Sequence, residues 1–196
     1  MDLEFTALAG TSVTVATLGP SGTSSEVAAG FLIDRVLGTG EDARAERKES
    51  TVALRESYED AHGLVRCGEA DLLIVANAYA HISRFYMDPR LHLAGAFVLD
   101  TPLYGLAARA DRPPAGGVTV ATHPAPEPLI KELMPAGCRL DQVVTAGSTS
   151  LAAAMADRGE VDLALTTELA AEVSGLGFIS RSRAIRMLWS VFAPVP

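Results

Sequence analysis

Residues 18–29 read LGPSGTSSEVAA and follow directly on the run SVTVAT at 12–17. The run is short and β-branched, which predicts a buried strand. Downstream, SSEVAAGFLIDRVLG (24–38) spaces Val27, Phe31 and Val36 on one helical face and stops at Gly38, so a helix is expected there. Thr23 and Glu26 stand as a capping box at its start. A strand, a joint of glycine, proline and hydroxyl residues, and a helix start together make the first half of an α/β unit. Gly19 and Gly22 lack side chains, which would let a ligand approach the backbone of this joint.

The joint recurs. VTVAT (118–122) runs into HPAPE, QVVTA (142–146) into GSTSL, and DLALT (162–166) into TELAA. In parallel α/β sheets such joints lie at the carboxyl ends of strands, where ligands bind. Helix N-termini there carry unpaired N–H groups and partial positive charge, which suit carboxylates or phosphates. Ordinary capping explains any one joint. Several converging joints suit a small anion with more than one acidic group. Neither a P-loop ending nor a Gly-x-Gly-x-x-Gly fingerprint is present.

Working outward, STVALRESYEDAHGLVRCG (50–68) predicts a second helix and DLLIVA (71–76) a strand. LYGLAAR (103–109) reads as a strand before the breaker-rich loop ADRPPAGG. Helices are expected at 126–134, 149–159 and 167–175, and strands at 118–122, 140–146, 161–166 and 186–193. This alternation predicts an α/β fold with a mainly parallel sheet. FVLDTPLYGL (97–106) reads as a crossing between two lobes, 1–102 with 186–196 and 103–185. Hinges are expected near 100–104 and 183–187, closing the lobes on a substrate.

The chain has 196 residues, 48% hydrophobic and 20% charged, which fits a folded protein with a substantial core. Its net charge is −8, and its one basic cluster, RAERKES (44–50), is diluted with acids. No nucleic-acid partner is expected. An anionic ligand must be attracted by local dipoles and a few arginines against the global field. Cys67 and Cys138 match no metal spacing, so reduced thiols and no metal site are expected. MDLEFTALAG has no basic region before its apolar stretch, and no run is long enough to span a bilayer. The expectation is a cytoplasmic protein without a membrane partner.

Three segments carry a family resemblance. TLGPSGTSSEVAA (17–29) resembles the opening motif of prephenate dehydratase catalytic domains, and THPAPEPLIKEL (122–133) their His-Pro segment. STSLAAAMADRGEVDLALTTELAAEVSGL (148–176) resembles their Ser-Thr helix and the run that ends in Gly-Leu. The matches span nearly the whole chain in order. The resemblance implies a two-lobed fold like the type II periplasmic binding proteins, with substrate in the cleft between lobes, and a homodimer. No regulatory domain is expected after the closing strand.

Two departures redirect the function. Dehydratases carry an acidic Glu-Asn-Ser/Thr motif where this chain runs into NAYAHISRFYMDP (77–89) without such a carboxylate. They close with Thr-Arg-Phe, whose threonine is held to help the ring hydroxyl leave. Here MLWSVF (187–192) sets Leu188, Trp189 and Ser190 at those positions. NAYAHISRFYMDPRLHL, DTPLYGLAAR and LWSVF look instead like the bacilysin-type prephenate decarboxylases. That resemblance implies a carboxy-lyase converting prephenate to dihydro-4-hydroxyphenylpyruvate without a cofactor. The route supplies a non-proteinogenic amino acid in antibiotic-type secondary metabolism.

Such a reaction withholds a proton from the ring hydroxyl and delivers one to a ring carbon. Catalytic candidates are Tyr79, His81, Arg84, Tyr104 and His123. Arg84 suits the pyruvyl carboxylate, because a guanidinium grips carboxylates in bidentate fashion. His123 either moves a proton or orients the helix start behind it. Gly22, Thr23, Ser24, Thr122, Ser148, Thr149 and Ser150 are candidates for carboxylate binding, and Thr166 and Thr167 line the same site or cap helices. Tyr86 is a positioning candidate. Met87 and Trp189 form an apolar wall or pack in the core, and Leu188 removes a donor. His62 reads as a surface residue and His92 as structural. A dehydratase with an altered closing motif and a non-catalytic small-anion binding protein remain open beside the decarboxylase.

Overall fold

The structure is a computed structural model that describes residues 12–37 and 50–195. The expectations for MDLEFTALAG, Gly38 and residues 44–49 fall outside them. The chain divides into two compact units. One holds the chain up to Gly19, Ser25–Leu99 and the stretch from Arg186, and the other holds Pro20–Ser24 and Asp100–Ile185.

Apart from the end residues Ser24 and Asp100, the first unit contains β1 (Thr14–Leu18), α1 (Ser24–Phe31), β2 (Thr51–Arg55), α2 (Tyr58–Cys67), β3 (Leu72–Ala76), α3 (Ser83–Tyr86) and β4 (Leu91–Asp100). α1 continues as a π-helical segment, Leu32–Leu37. The closing strand β10 (Arg186–Pro194) completes a five-stranded sheet in the order β2-β1-β3-β10-β4. β1 runs parallel to β2 and β3, while β10 is antiparallel to β3 with Trp189 opposite Ala76 and Phe192 opposite Leu73.

The helix expected over 50–68 is a strand followed by a helix. Ser57 is extended, at φ −140°, and its side chain accepts from the Asp60 amide, so α2 starts there. Upstream, β-branched Thr51 and Val52 pair with Thr14 and Val15 of β1. Sheet pairing thus overrides the helical spacing read from the run. β4 and α3 were not foreseen, because LHLAGAFVLD lacks clean alternation and SRFY is a single turn. The expected mainly parallel sheet is also corrected, since both sheets are mixed.

Each face of the first sheet has its own core. On one side Val13, Val15, Ala28, Leu32, Ile74, Phe97, Trp189 and Val191 pack together. On the other, Tyr58, Ala61, Val65, Leu73, Val75, Phe85 and Phe192 do so. Alternate residues of β10 therefore feed opposite cores, as the period of a strand requires.

The second unit contains β5 (Tyr104–Ala108), β6 (Gly116–Thr122), α4 (Leu129–Leu133), β7 (Cys138–Thr145), α5 (Thr149–Asp157), β8 (Leu163–Thr167), α6 (Glu168–Val173) and β9 (Gly177–Phe178). Its sheet order is β7-β6-β8-β5-β9. β6 is parallel to β7 and β8, and β5 is antiparallel to β8 and β9. The core under α5 and α6 is rich in alanine, with Ala152, Ala153, Ala156, Ala164 and Ala170 buried together. Small side chains let these helices sit close to the sheet.

Phe192→Ala is expected to lower the unfolding free energy by about 3–5 kcal/mol, the usual cost of truncating a buried phenylalanine. Urea titration followed by fluorescence of buried Trp189, the single tryptophan, measures it.

Candidate active site

In the second unit, parallel β6, β7 and β8 end on the same side of the sheet. Antiparallel β5 brings its first residue, Tyr104, opposite Thr167 at that side. The joints expected from the sequence therefore do converge within this unit. Pro20–Ser24 joins them: Thr167 Oγ1 donates to the Gly22 carbonyl at 2.9 Å, and Ser150 Oγ to the Ser21 carbonyl at 3.2 Å.

Much of this hydroxyl chemistry is already occupied. Ser148 caps α5 by accepting from the Leu151 amide at 3.0 Å, and Thr167 caps α6 by accepting from the Ala170 amide at 3.2 Å. Thr122 donates to the Leu165 carbonyl at 3.2 Å, and Thr166 to the Thr149 carbonyl at 2.8 Å. Thr23 is buried. The remaining centre is Ser24 Oγ, 3.0 Å from the Tyr104 hydroxyl, with the Thr149 side chain close enough to act on that phenol. Burial raises the Tyr104 pKa, against the opposing effect of those two hydroxyls. Tyr104 is thus a buried neutral phenol that organises hydroxyls, rather than a freely accessible acid.

The two glycines of the first joint do something other than expected. A Cβ on Gly22, at φ +87°, would lie 3.3 Å from Ala170 Cα. One on Gly19 would lie 3.0 Å from Leu54 Cβ. The close approach each glycine permits is to the chain itself.

His123 is half-buried at the end of β6. Its Nδ1 accepts from the Ala125 amide at 3.2 Å, and burial lowers its pKa. The neutral ring then carries its proton on Nε2.

In the first unit, Tyr79 donates to both carboxylate oxygens of Glu59, at 2.9 and 3.0 Å. Arg84 Nη1 lies 3.4 Å from the same carboxylate and is exposed. Burial first, then the bond and charge of Glu59, push the Tyr79 pKa up to about 12. Exposed His81 stands edge-on to Tyr79, 5.6 Å between ring centroids. A second network links Tyr86, Ser190 and Asn77: the Tyr86 hydroxyl is 2.7 Å from Ser190 Oγ, which donates to Asn77 Oδ1 at 2.7 Å.

The other expected wall residues separate. Met87 is 78% exposed and Leu188 42% exposed, whereas Trp189 is 1% exposed and packs against α1 in the core. Trp189 is therefore a core side chain, because strand alternation turns it away from the face of Leu188 and Ser190. His62, expected on the surface, is mostly buried. It lies 3.3 Å from Asp88 Oδ2 without hydrogen-bond alignment and edge-on to Phe85. Desolvation lowers its pKa more than Asp88 raises it.

Glu59, Asn77 and Ser190, which the sequence did not single out as candidates, are the hydrogen-bond partners of the candidates Tyr79 and Tyr86. The same alternation that buries Trp189 would have placed Ser190 beside Leu188. A cavity of about 280 Å³ lies at the opposite end of the second sheet, lined by Arg109, Arg112, Gly159 and Asp162 among others, and none of the expected site residues lines it. Among the described residues no group of three His, Cys, Asp or Glu side chains could hold a metal ion. No described helix is long and apolar enough to cross a membrane.

No family model matches the chain. A prephenate decarboxylase of Planktothrix agardhii is 35% identical over 181 residues, covering 91% of this chain and 86% of the relative. Among solved structures, a prephenate dehydratase from Arthrobacter aurescens in complex with L-Phe superposes with a TM-score of 0.64 at 19% identity. That match covers 94% of this chain and 61% of the dehydratase. The periplasmic VFT2 domain of Bordetella pertussis BvgS superposes with a TM-score of 0.55 at 21% identity, covering 93% of this chain and 80% of that one. The fold expected from the sequence, that of prephenate dehydratase and periplasmic-binding-protein-like domains, is the fold found.

Alkaline difference spectroscopy is expected to show the Tyr79 phenol titrating near pH 12. Since its folded pKa lies above the ordinary value of about 10, the associated stability is full below pH 10 and is lost as pH rises through 12. In Glu59→Gln the titration moves down, and an unchanged midpoint would contradict the assigned contact.

Proposed function

The chain belongs to the prephenate decarboxylase family, and on that premise we propose that it removes the ring carboxylate of prephenate while the ring hydroxyl stays in place. The observation that carries the reading is identity of 35% spread over nine-tenths of the chain. The product is dihydro-4-hydroxyphenylpyruvate. The ring carbon–carboxylate bond breaks, its electron pair enters the ring diene, and a ring carbon takes up a proton. The carbon–oxygen bond is untouched, and the balance needs no oxidant or reductant. Losing the hydroxyl as well would give an aromatic ring, a strongly favourable alternative that the site has to suppress.

The residues divide the work as follows in this reading. Ser24 and Thr149, held by Tyr104, bind a carboxylate at the joints of the second unit. Neutral His123 donates a hydrogen bond from Nε2 rather than a proton from an imidazolium. Arg84 makes a single long contact with Glu59, so most of its donors remain for the pyruvyl carboxylate. The product is an α-keto acid ready for amination, which suits supply of a non-proteinogenic amino acid to an antibiotic-type natural product. A cytoplasmic homodimer belongs to the same proposal.

Purified protein mixed with prephenate at neutral pH is expected to release a non-aromatic keto acid that retains the hydroxyl, identified by mass and ultraviolet spectrum. Phenylpyruvate above the non-enzymatic rate would mean a dehydratase. Unchanged prephenate would mean a binding protein or another substrate. Any loss of rate on acidification is further expected to centre below pH 6.5, because burial lowers the His123 pKa from that ordinary value. A loss of rate centred at or above 6.5 would count against its role as a neutral donor.

A further inference from the structure

The Tyr86–Ser190–Asn77 chain has a direction. Asn77 Oδ1 is a carbonyl oxygen and only accepts, so the Ser190 hydroxyl donates to it over 2.7 Å. Serine has one such proton. Ser190 Oγ can then only accept from Tyr86, whose phenol donates over 2.7 Å. Ser190 is 0% exposed and Tyr86 40% exposed, so the donors run from a partly exposed tyrosine toward the interior, and the chain begins at the phenol oxygen. That oxygen presents lone pairs and no proton.

The surroundings hold this arrangement. The Asn77 amide N–H donates to the Leu188 carbonyl at 3.0 Å, which pins Asn77 at the end of β3. The Tyr86 ring stands edge-on to Phe192, 5.0 Å between centroids. Leu188 lies two residues before Ser190 on the same strand face and brings no donor. The side-chain amide of Asn77 is far too weak an acid to release a proton.

Resting on the function proposed above, we propose that Tyr86 is an acceptor-only subsite for the ring hydroxyl of the substrate. Ser190 and Asn77 are the positioning residues that determine specificity, because they fix the direction of the hydrogen bonds. The hydroxyl donates its own proton to the Tyr86 oxygen and receives none back. Departure as water requires a second proton on that oxygen. With none supplied, the carbon–oxygen bond survives while the carbon–carboxylate bond breaks.

The test is the ratio of phenylpyruvate to dihydro keto acid formed from prephenate, corrected for the non-enzymatic reaction. Circular dichroism confirms that each variant is folded. Ser190→Ala and Asn77→Leu release the Tyr86 proton and are expected to raise the phenylpyruvate fraction about tenfold or more. Asn77→Asp keeps an acceptor and is expected to retain the wild-type ratio. Tyr86→Phe combined with Ser190→Ala removes the released proton and is expected to abolish the leak. A purely structural role would lower both products together and leave the ratio fixed. An unchanged ratio in folded Ser190→Ala and Asn77→Leu, beside a wild type that makes the dihydro keto acid, overturns this proposal alone. A wild type that makes no dihydro keto acid overturns the functional reading and this proposal with it.

Discussion

Antiparallel pairing of β10 with β3 holds the first unit together. The chain leaves this unit after Leu99 and returns at Arg186, and the returning strand inserts between β3 and β4. Four registered pairs run from Trp189 opposite Ala76 to Phe192 opposite Leu73. Because a strand alternates its side chains, this one segment completes two cores at once. Trp189 and Val191 close the core on the α1 side, and Phe192 closes the one shared with α2 and α3. Ser190, on the Phe192 side, is left as a buried polar residue, and its hydroxyl is satisfied through Tyr86 and Asn77. A buried hydroxyl without partners would be costly. The closing strand therefore fixes stability and local chemistry through the same pairing.

The second unit follows a different logic. Its hydroxyl-rich joints meet at one side of the sheet, but the fold itself uses most of their hydrogen-bonding capacity. Ser148 and Thr167 are caps, and Thr122 and Thr166 bridge neighbouring backbone. This matters for chemistry, because a hydroxyl locked by the backbone holds its position and offers only its remaining lone pairs. Preorganisation of that kind favours a site that binds a rigid dianion over one that donates protons freely. The first unit repeats the theme with Tyr79, whose proton is held by Glu59 and whose pKa is pushed up to about 12. Each unit thus holds a phenol whose pKa is raised, Tyr79 in the first and Tyr104 in the second.

The sequence made the α/β class legible, because strand runs and helix starts alternate from 12 to 193 and the joints repeat. The dehydratase-like fold was legible in the motifs around 17–29, 122–133 and 148–176, and the decarboxylase family in NAYAHISRFYMDPRLHL, DTPLYGLAAR and LWSVF. Local patterns failed where two signals overlapped. The stretch 50–68 contains a helical spacing and a β-branched start, and pairing with β1 decided between them. β4 was invisible because its buried and exposed residues do not alternate cleanly. Among the candidates and their partners, the joint hydroxyls could be picked out from their position before helix starts. Glu59 and Asn77 could not, since a carboxylate on a helix and an amide after a strand look ordinary in one dimension.

Residue types and spacing by themselves determined the α/β class and the hydroxyl-rich joints before helix starts, while the resemblance implied the two-lobed fold and the place of Leu188 in the closing motif. Tertiary structure decided which partners the candidate side chains meet. It buried Trp189 in the core, turned Gly19 and Gly22 toward the chain's own atoms, and gave the Tyr86–Ser190–Asn77 chain its direction. The physical reason is that periodicity and capping are local properties of the backbone. Hydrogen-bond direction, desolvation and acidity instead depend on partners distant in sequence. Ser190 and Asn77 lie 113 residues apart, and only the closed sheet brings them within a hydrogen bond.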